Sequence, residues 1–598
     1  MNKEGLYRDL STVKQQIGLA KQFLESLNSV KFDRKNVLSW FKKLCGYLTD
    51  IILTILEIRS ILENHVLNKK TMLLYLHQIN TTLSLYINTF VAECEIGEAL
   101  NEVRIFTTKK LSSCLDGIED VLIKGISTYP ENVGNFILWM DTALEKMSEI
   151  DHLKEKEKCL KAFSDAKILF EEVLSHAMSI AQVSMSEDYK IIRGSSQSVL
   201  EGLESLSNEI SKENPNSAMV KLFAETCSNK LCALERKVNV AVLKICLSTF
   251  AKYTDDLENI HKFCFNTENK SKPRDLDNLV MEFDLHVDRI MQIGLFAISC
   301  STNMATCIKI RSCLASLEAL ESELVPAFNA VLLDYCKQNC NLASILKNHW
   351  LNEAVLLKRL ICEIIDPLAF CQIVHEENKY LVHTLSLDVK ANKSKIDRSV
   401  TEQVIRNSIV LDDFLKLITY EEDNIIHIKE NISFLQKIIR EVKAASDVFL
   451  PQEQPELNFK VYKRCKILLN GIYSLCKNFL VENSENSFSK EESLGNEQPV
   501  VTGNGFLDHI INRGKQILQD RSILYRSNKI EAFDLRSTTL SKMNALKEKN
   551  KSIPLSKLVH LRKISFVQSP TRNQISCELQ ITDIVNELRN MSLTFEKC

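Results

Sequence analysis

Apolar residues return at three- and four-residue steps along almost the whole of this chain, which is the spacing of α-helices that each bury one face. Val37, Phe41, Leu44, Leu48, Ile51, Ile55, Ile58 and Leu62 form one such stripe. Ile425, Ile428, Ile432, Leu435, Ile439 and Val442 form another, with Glu421, Glu422 and Asp423 at its start, where negative charge suits the positive end of the helix dipole. Only 10 Pro and 15 Gly occur in 598 residues, too few for the many turns of a β-sandwich or propeller. The expected fold class is all-α.

Prolines interrupt the periodicity at Tyr129-Pro130, Asn214-Pro215, Lys272-Pro273, Asp366-Pro367 and at Pro451 with Pro455. The residue before a proline is pushed out of helical geometry, so helices stop at these places. The breaks predict helical groups at residues 1–128, 131–270, 274–371 and 397–481. Long helices with single stripes and short connections predict up-and-down four-helix bundles joined in series. A curved α-solenoid is the competing architecture, but no fixed repeat is present. Residues 482–505 place Glu482, Glu485, Glu491, Glu492 and Glu497 among Ser, Asn and Gly, the composition of an acidic flexible linker. Residues 506–598 read as a helical and basic C-terminal extension.

Charge and cysteine usage narrow the functional class. The 75 Lys and Arg nearly balance the 77 Asp and Glu, so nothing overall marks a nucleic-acid or membrane binder. The charged start, Met1 to Gly5, lacks the apolar core of a secretory signal. The most apolar runs, 51–56 and 290–300, stop short of the ~20 residues of a membrane span. The 19 cysteines are scattered singly, as at Cys246, Cys313 and Cys465, and read as reduced, buried thiols of a soluble cytoplasmic protein.

Motifs for chemistry are missing. Gly503-Asn504-Gly505 lacks the third glycine and the preceding strand of a nucleotide loop. His375-Glu376-Glu377 lacks the second histidine of a zinc-protease helix. Cys336 with Cys340, and Cys307 with Cys313, have no CxxC or histidine pair to complete four ligands. His349-Trp350 reads as a helix-packing site. No catalytic, cofactor-binding or metal residue is predicted, and neither an enzyme nor a small-molecule substrate is expected.

One segment is strongly basic. Residues 542–572 hold Lys542, Lys547, Lys549, Lys551, Lys557, Arg562, Lys563 and Arg572 against the single acid Glu548. Such clustering attracts lipid phosphates or the acidic surface of a filament, and Lys557, Arg562 and Lys563 are the candidate contacts. A merely solvated segment is the other reading. Ser and Pro stand where base-stacking aromatics would be needed, so nucleic acid is not an expected partner.

A more specific signal runs from Glu282-Phe283-Asp284-Leu285-His286-Val287 through Ser299 to Asn303, Arg311 and Leu317-Glu318-Ala319-Leu320, then on to Trp350 and Leu357. This stretch resembles the central helical region of the vinculin and α-catenin family. The resemblance implies serial four-helix bundles ending in a helical tail that contacts actin filaments. It also implies a peripheral position at the inner face of the plasma membrane, with catenin-type adhesion proteins as further partners. The length is similar to that of a shorter insect branch, which implies organisation of cortical actin while membrane furrows divide an embryo into cells. Phe283, Val287, Ile290 and Ala297 would supply the buried stripe; His286, Arg311 and Glu318 would bridge helices, and Trp350 would pack.

In that family filament binding belongs to a C-terminal five-helix bundle. Here three strong helices, about 400–418, 421–449 and 457–481, precede the acidic linker, and two weaker ones follow near 506–528 and 579–594. The expected function is a non-enzymatic cytoskeletal scaffold at the cell cortex. The alternative is a helical interaction module, a trafficking tether or cell-cycle regulator, that does not bind actin.

Overall fold

Asp366 and Pro367 show how this sequence sets its helix ends. The Asp366 carboxylate accepts the backbone N–H of Ala369 at 2.7 Å, and Pro367 occupies the first turn, where a missing N–H leaves no intrahelical bond unmade. Asn216 and Asn303 cap helices in the same way, through the N–H groups of Ala218 and Ala305. The computed structural model describes residues 3–26, 34–57, 66–124, 136–152, 155–266, 273–301, 303–391, 397–419, 426–484, 507 and 509–511. Among these there are no strands, and no helix is long and apolar enough to cross a membrane.

The first helices are α1 (Lys3–Glu25), α2 (Arg34–Glu57), α3 (Val66–Ile96) and α4 (Asn101–Glu119), the last continuing into a π-helical turn at Asp120–Lys124. Helix α1 packs on α2 and α4, and α3 packs on α4. Aromatic rings close the set. Phe23 stacks on Trp40 at 5.3 Å, Trp40 meets Tyr86 at 6.0 Å, and Phe41 meets Phe90 edge-on at 6.3 Å. The short α3–α4 connection passes through Gly97 at φ 81°, a left-handed conformation that glycine adopts without a Cβ clash.

The second set, α5 (Phe136–His152), α6 (Lys156–Val183), α7 (Ser186–Ser211) and α8 (Ser217–Phe250), forms a closed cycle: each helix packs on the next, and α8 returns to α5. The third holds α9 (Asp255–Phe265), α10 (Pro273–Cys300), α11 (Met304–Leu333) and α12 (Lys337–Cys362). Helix α9 packs on α10 and α11, α11 packs on both α10 and α12, and α3 reaches across to α11 and α12. Helix α11 continues through Pro326, where buried Leu324, Ala327 and Phe328 hold it in place. The fourth set, α13 (Pro367–Lys390), α14 (Arg398–Thr419), α15 (Ile426–Phe449) and α16 (Pro455–Ser484), is a second closed cycle.

Contacts place two helices differently from the proline breaks. Helix α9 packs with α10 and α11 rather than with residues 131–250, and α13 packs with α14 and α16 rather than with 274–362. A proline marks where a helix starts or stops, and carries nothing about which neighbour that helix chooses. We therefore propose units at residues 3–124, 136–250, 255–362 and 367–484. The three helices expected before the acidic linker are α14, α15 and α16, and α13 joins them as a fourth. Most of 482–505 and 506–598, including Lys557, Arg562 and Lys563, lies outside the described residues.

Candidate functional site

Most of the residues that carried the resemblance lie in the interior, with Glu282 and Asn303 exposed. Phe283 of α10 and Trp350 of α12 are buried with ring centroids 5.2 Å apart at 59°, an arrangement favoured between aromatic quadrupoles. Val287, one turn beyond Phe283, is also buried. His286 points elsewhere: its Nδ1 lies 3.5 Å from Asp256 Oδ2 on α9. Burial holds His286 down to about 4, Arg289 adds to the effect and Asp255 opposes it, so the imidazole is neutral at physiological pH. Arg311 is buried on α11, and its charge helps lower the pKa of Lys70 on α3, after burial itself. Glu318 is half-buried on α11. The structure thus joins Phe283 to Trp350, sets His286 against α9 and turns Arg311 toward α3.

Where α3 and α4 meet α11 and α12, the interface is polar. Gln78 of α3 donates to Ser312 O at 2.6 Å, Ser312 Oγ at 2.8 Å and Ser316 Oγ at 3.1 Å on α11. Lys110 of α4 and Glu353 and His349 of α12 are buried beside them. Burial lowers Lys110, with Cys114 and then Glu353 opposing. Burial raises Glu353 to about 7 against the pull of Lys110, Cys313 and Ser316, and it holds His349 down to about 3, with Lys110 adding to it. Gln78, Lys110, Ser312, Ser316, His349 and Glu353 are all buried, so the seam ties helix to helix.

The cysteines and the paired motifs have structural settings. The described cysteines are thiols outside any disulfide, and burial pushes Cys465 up to about 12 and raises Cys246 and Cys313 as well. Cys336 caps α12, its Sγ accepting the N–H of Asn339 at 3.4 Å. His375 packs against Tyr473 with ring centroids 5.4 Å apart. Among the described residues no group of three or more His, Cys, Asp and Glu is placed to hold a metal.

The outer face of α16 is different in kind. Phe459, Lys460, Lys463, Lys466, Ile467, Asn470, Tyr473, Ser474 and Lys477 are all exposed and recur at helical spacing. Lys463 sits over the Phe459 ring at 4.6 Å and Lys477 over Tyr473 at 4.9 Å, each pair four residues apart. Lys460 and Arg464 both lie 5.7 Å from the Phe449 ring at the end of α15. Cation–π contact holds the ammonium groups along the helix, and no acidic residue interrupts the stripe. From 459 to 477 it runs ~27 Å at 1.5 Å per residue. Phe434 of α15 is exposed beside it, close enough that a Cβ at Gly471 would meet it at 3.8 Å. The sequence carried this signal as aromatic residues followed four positions later by lysine, within the helix expected at about 457–481.

Comparisons with known proteins agree on class. Residues 38–544 match the family model described as Serendipity locus alpha protein (SRY-A). The Serendipity locus protein alpha of Drosophila virilis is 30% identical over 241 residues, 39% of this chain and 43% of that protein. That of Drosophila pseudoobscura pseudoobscura is 27% identical over 311 residues, 51% of this chain and 52% of that protein. The chain therefore matches about half the length of these relatives. Among solved structures, a vinculin homologue of a sponge superposes with TM-score 0.62 at 14% identity, covering 98% of this chain and 77% of that one. That likeness shows a vinculin-like helical-bundle fold.

Proposed function

Because this chain belongs to the Serendipity locus alpha protein family, we propose that it is a non-enzymatic cytoskeletal adaptor that organises cortical actin at the inner face of the plasma membrane during embryonic cellularisation. The observation that carries this reading is the cationic and aromatic stripe of α16. Lys460, Lys463, Lys466 and Lys477 line one outward face of a closed four-helix bundle, and aromatic neighbours preset Lys460, Lys463 and Lys477. An acidic filament surface meets such a ridge by long-range attraction and then by desolvation of Phe459, Ile467 and Tyr473. The four helices α13–α16 take the place of the five-helix tail that the family resemblance implies.

Co-sedimentation with actin filaments tests it. The full chain should pellet with filaments at about 0.1 M salt and less at higher salt, since exposed charges are screened over ~10 Å. The triple variant Lys463→Glu, Lys466→Glu, Lys477→Glu should stay in the supernatant. Equal pelleting of variant and parent would reject the stripe as the contact. We assign Lys557, Arg562 and Lys563 an assisting contact with phosphoinositide membranes; liposome flotation unchanged by their neutralisation would reject that part. Catenin-type adhesion proteins are the further partners this reading expects.

A further inference from the structure

Leu507 and residues 509–511 follow α16 in the chain, and His509 brings them against the second bundle. Leu507, Ile510 and Ile511 are 6%, 0% and 8% exposed, and they join the contiguous apolar core that runs through the second, third and fourth helix sets. Their spacing, i, i+3 and i+4, is one face of a helix, and the described residues of the segment are helical. His509 leaves that face and brings Nε2 to 3.0 Å from Glu171 Oε1, also on α6. Helices α5–α8 already complete a closed cycle among themselves, so the segment is an addition to a finished bundle. Helix α6 is itself buried on every side from Val173 to Ala181, where α5, α7, α8 and α10 pack on it. One side faces its own bundle, α10 covers another through the Gln292 to Ser179 Oγ bond at 2.8 Å, and the segment docks one turn earlier at Glu171.

We propose that the second bundle carries a docking site for a short amphipathic helix, with an apolar cleft for i, i+3 and i+4 anchors and Glu171 at its rim for a histidine or a cation. The chain's own residues 507–511 are the occupant. This mode of recognition lays an apolar helix face into a groove and takes specificity from the rim. A ligand on the same chain meets its site at about millimolar effective concentration, so a free helix of the same chemistry enters only after the internal one leaves. The site is separate from the α16 stripe, and filament binding is not its readout.

A fluorescent peptide of residues 506–516 is the probe, measured by anisotropy against the full-length chain and its Ile510→Asp variant. The variant should bind the peptide at least about tenfold more tightly than the parent. Adding Glu171→Gln to the variant should weaken binding, and a peptide carrying Ile510→Asp should bind neither chain. Binding to neither chain, or equally to both, overturns the proposal. Circular dichroism should show Ile510→Asp melting as the parent does; early melting would make the segment a structural member of the bundle and overturn a docking site. A concentration-dependent dimer of the parent in sedimentation would place the segment on a second copy and overturn occupancy within one chain.

Discussion

Replacing Glu93 with alanine should open the α3–α4 hairpin, because it strands a charge that has no other way to be neutralised. Arg104 donates from Nε to Glu93 Oε1 at 2.7 Å and from its terminal nitrogen to Oε2 at 2.6 Å, and the same Oε1 accepts the N–H of Leu100 at 2.7 Å. Both side chains are buried, 2% and 0% exposed, and the Phe90 ring lies 5.5 Å from the guanidinium. Arginine does not deprotonate in a protein, so breaking the pair from the carboxylate side costs about 3–5 kcal/mol. At ~1.4 kcal/mol per decade, native-state hydrogen exchange across residues 90–110 should speed up by about 10² to 10⁴-fold.

Arg104→Leu should cost less, since the remaining carboxyl can take up a proton and still accept from Leu100. The double variant Glu93→Leu, Arg104→Leu removes both charges and leaves mainly the Leu100 amide unsatisfied, about 1–3 kcal/mol. It should therefore be better protected than Glu93→Ala. Exchange accelerated less than about tenfold by Glu93→Ala, or a double variant less protected than that single one, would refute the reasoning.

The polar seam predicts a pH dependence. Burial raises Glu353 from 4.5 to about 7, so the folded chain keeps a proton that the unfolded chain releases first, and stability falls as pH rises from about 4.5 to about 7. Glu353→Gln removes that slope; its urea midpoint relative to the parent should improve between about pH 5 and pH 8, and a pH-independent difference would count against it. Close packing predicts a steric effect. A Cβ at Gly117 on α4 would fall inside van der Waals contact of the Tyr75 ring on α3, so Gly117→Ala should cost about 1–3 kcal/mol or more. Tyr75→Leu should recover part of the loss in the same melt, and a Gly117→Ala chain as stable as the parent would show that the helices simply move apart.

Helix class and helix ends were legible because both are local. Val37, Phe41, Leu44, Leu48, Ile51 and Ile55 are each at most 1% exposed, as a period near 3.6 residues requires whatever lies opposite. Asp366-Pro367 and Pro455 open helices because a proline's missing N–H and fixed φ act on its own turn. The likeness of Phe283 and Trp350 to a known helical core was legible too, as residue identities in register.

Partnership was not. Thr71 to Leu76 are buried all round, since α3 serves two cores, and a helix without a polar face offers no stripe to assign. Nothing in the spacing of Lys110 or Glu353 marks either charge as buried, and only the approach of α4 to α12 takes both from water. The contact of His509 with Glu171 on α6 joins positions 338 residues apart. The sequence by itself determined which face of each helix turns inward, because that depends on one helix's own spacing. Tertiary structure alone decided what each face meets, because packing selects among many equally apolar stripes by shape, by charge left without water, and by the order in which the bundles close.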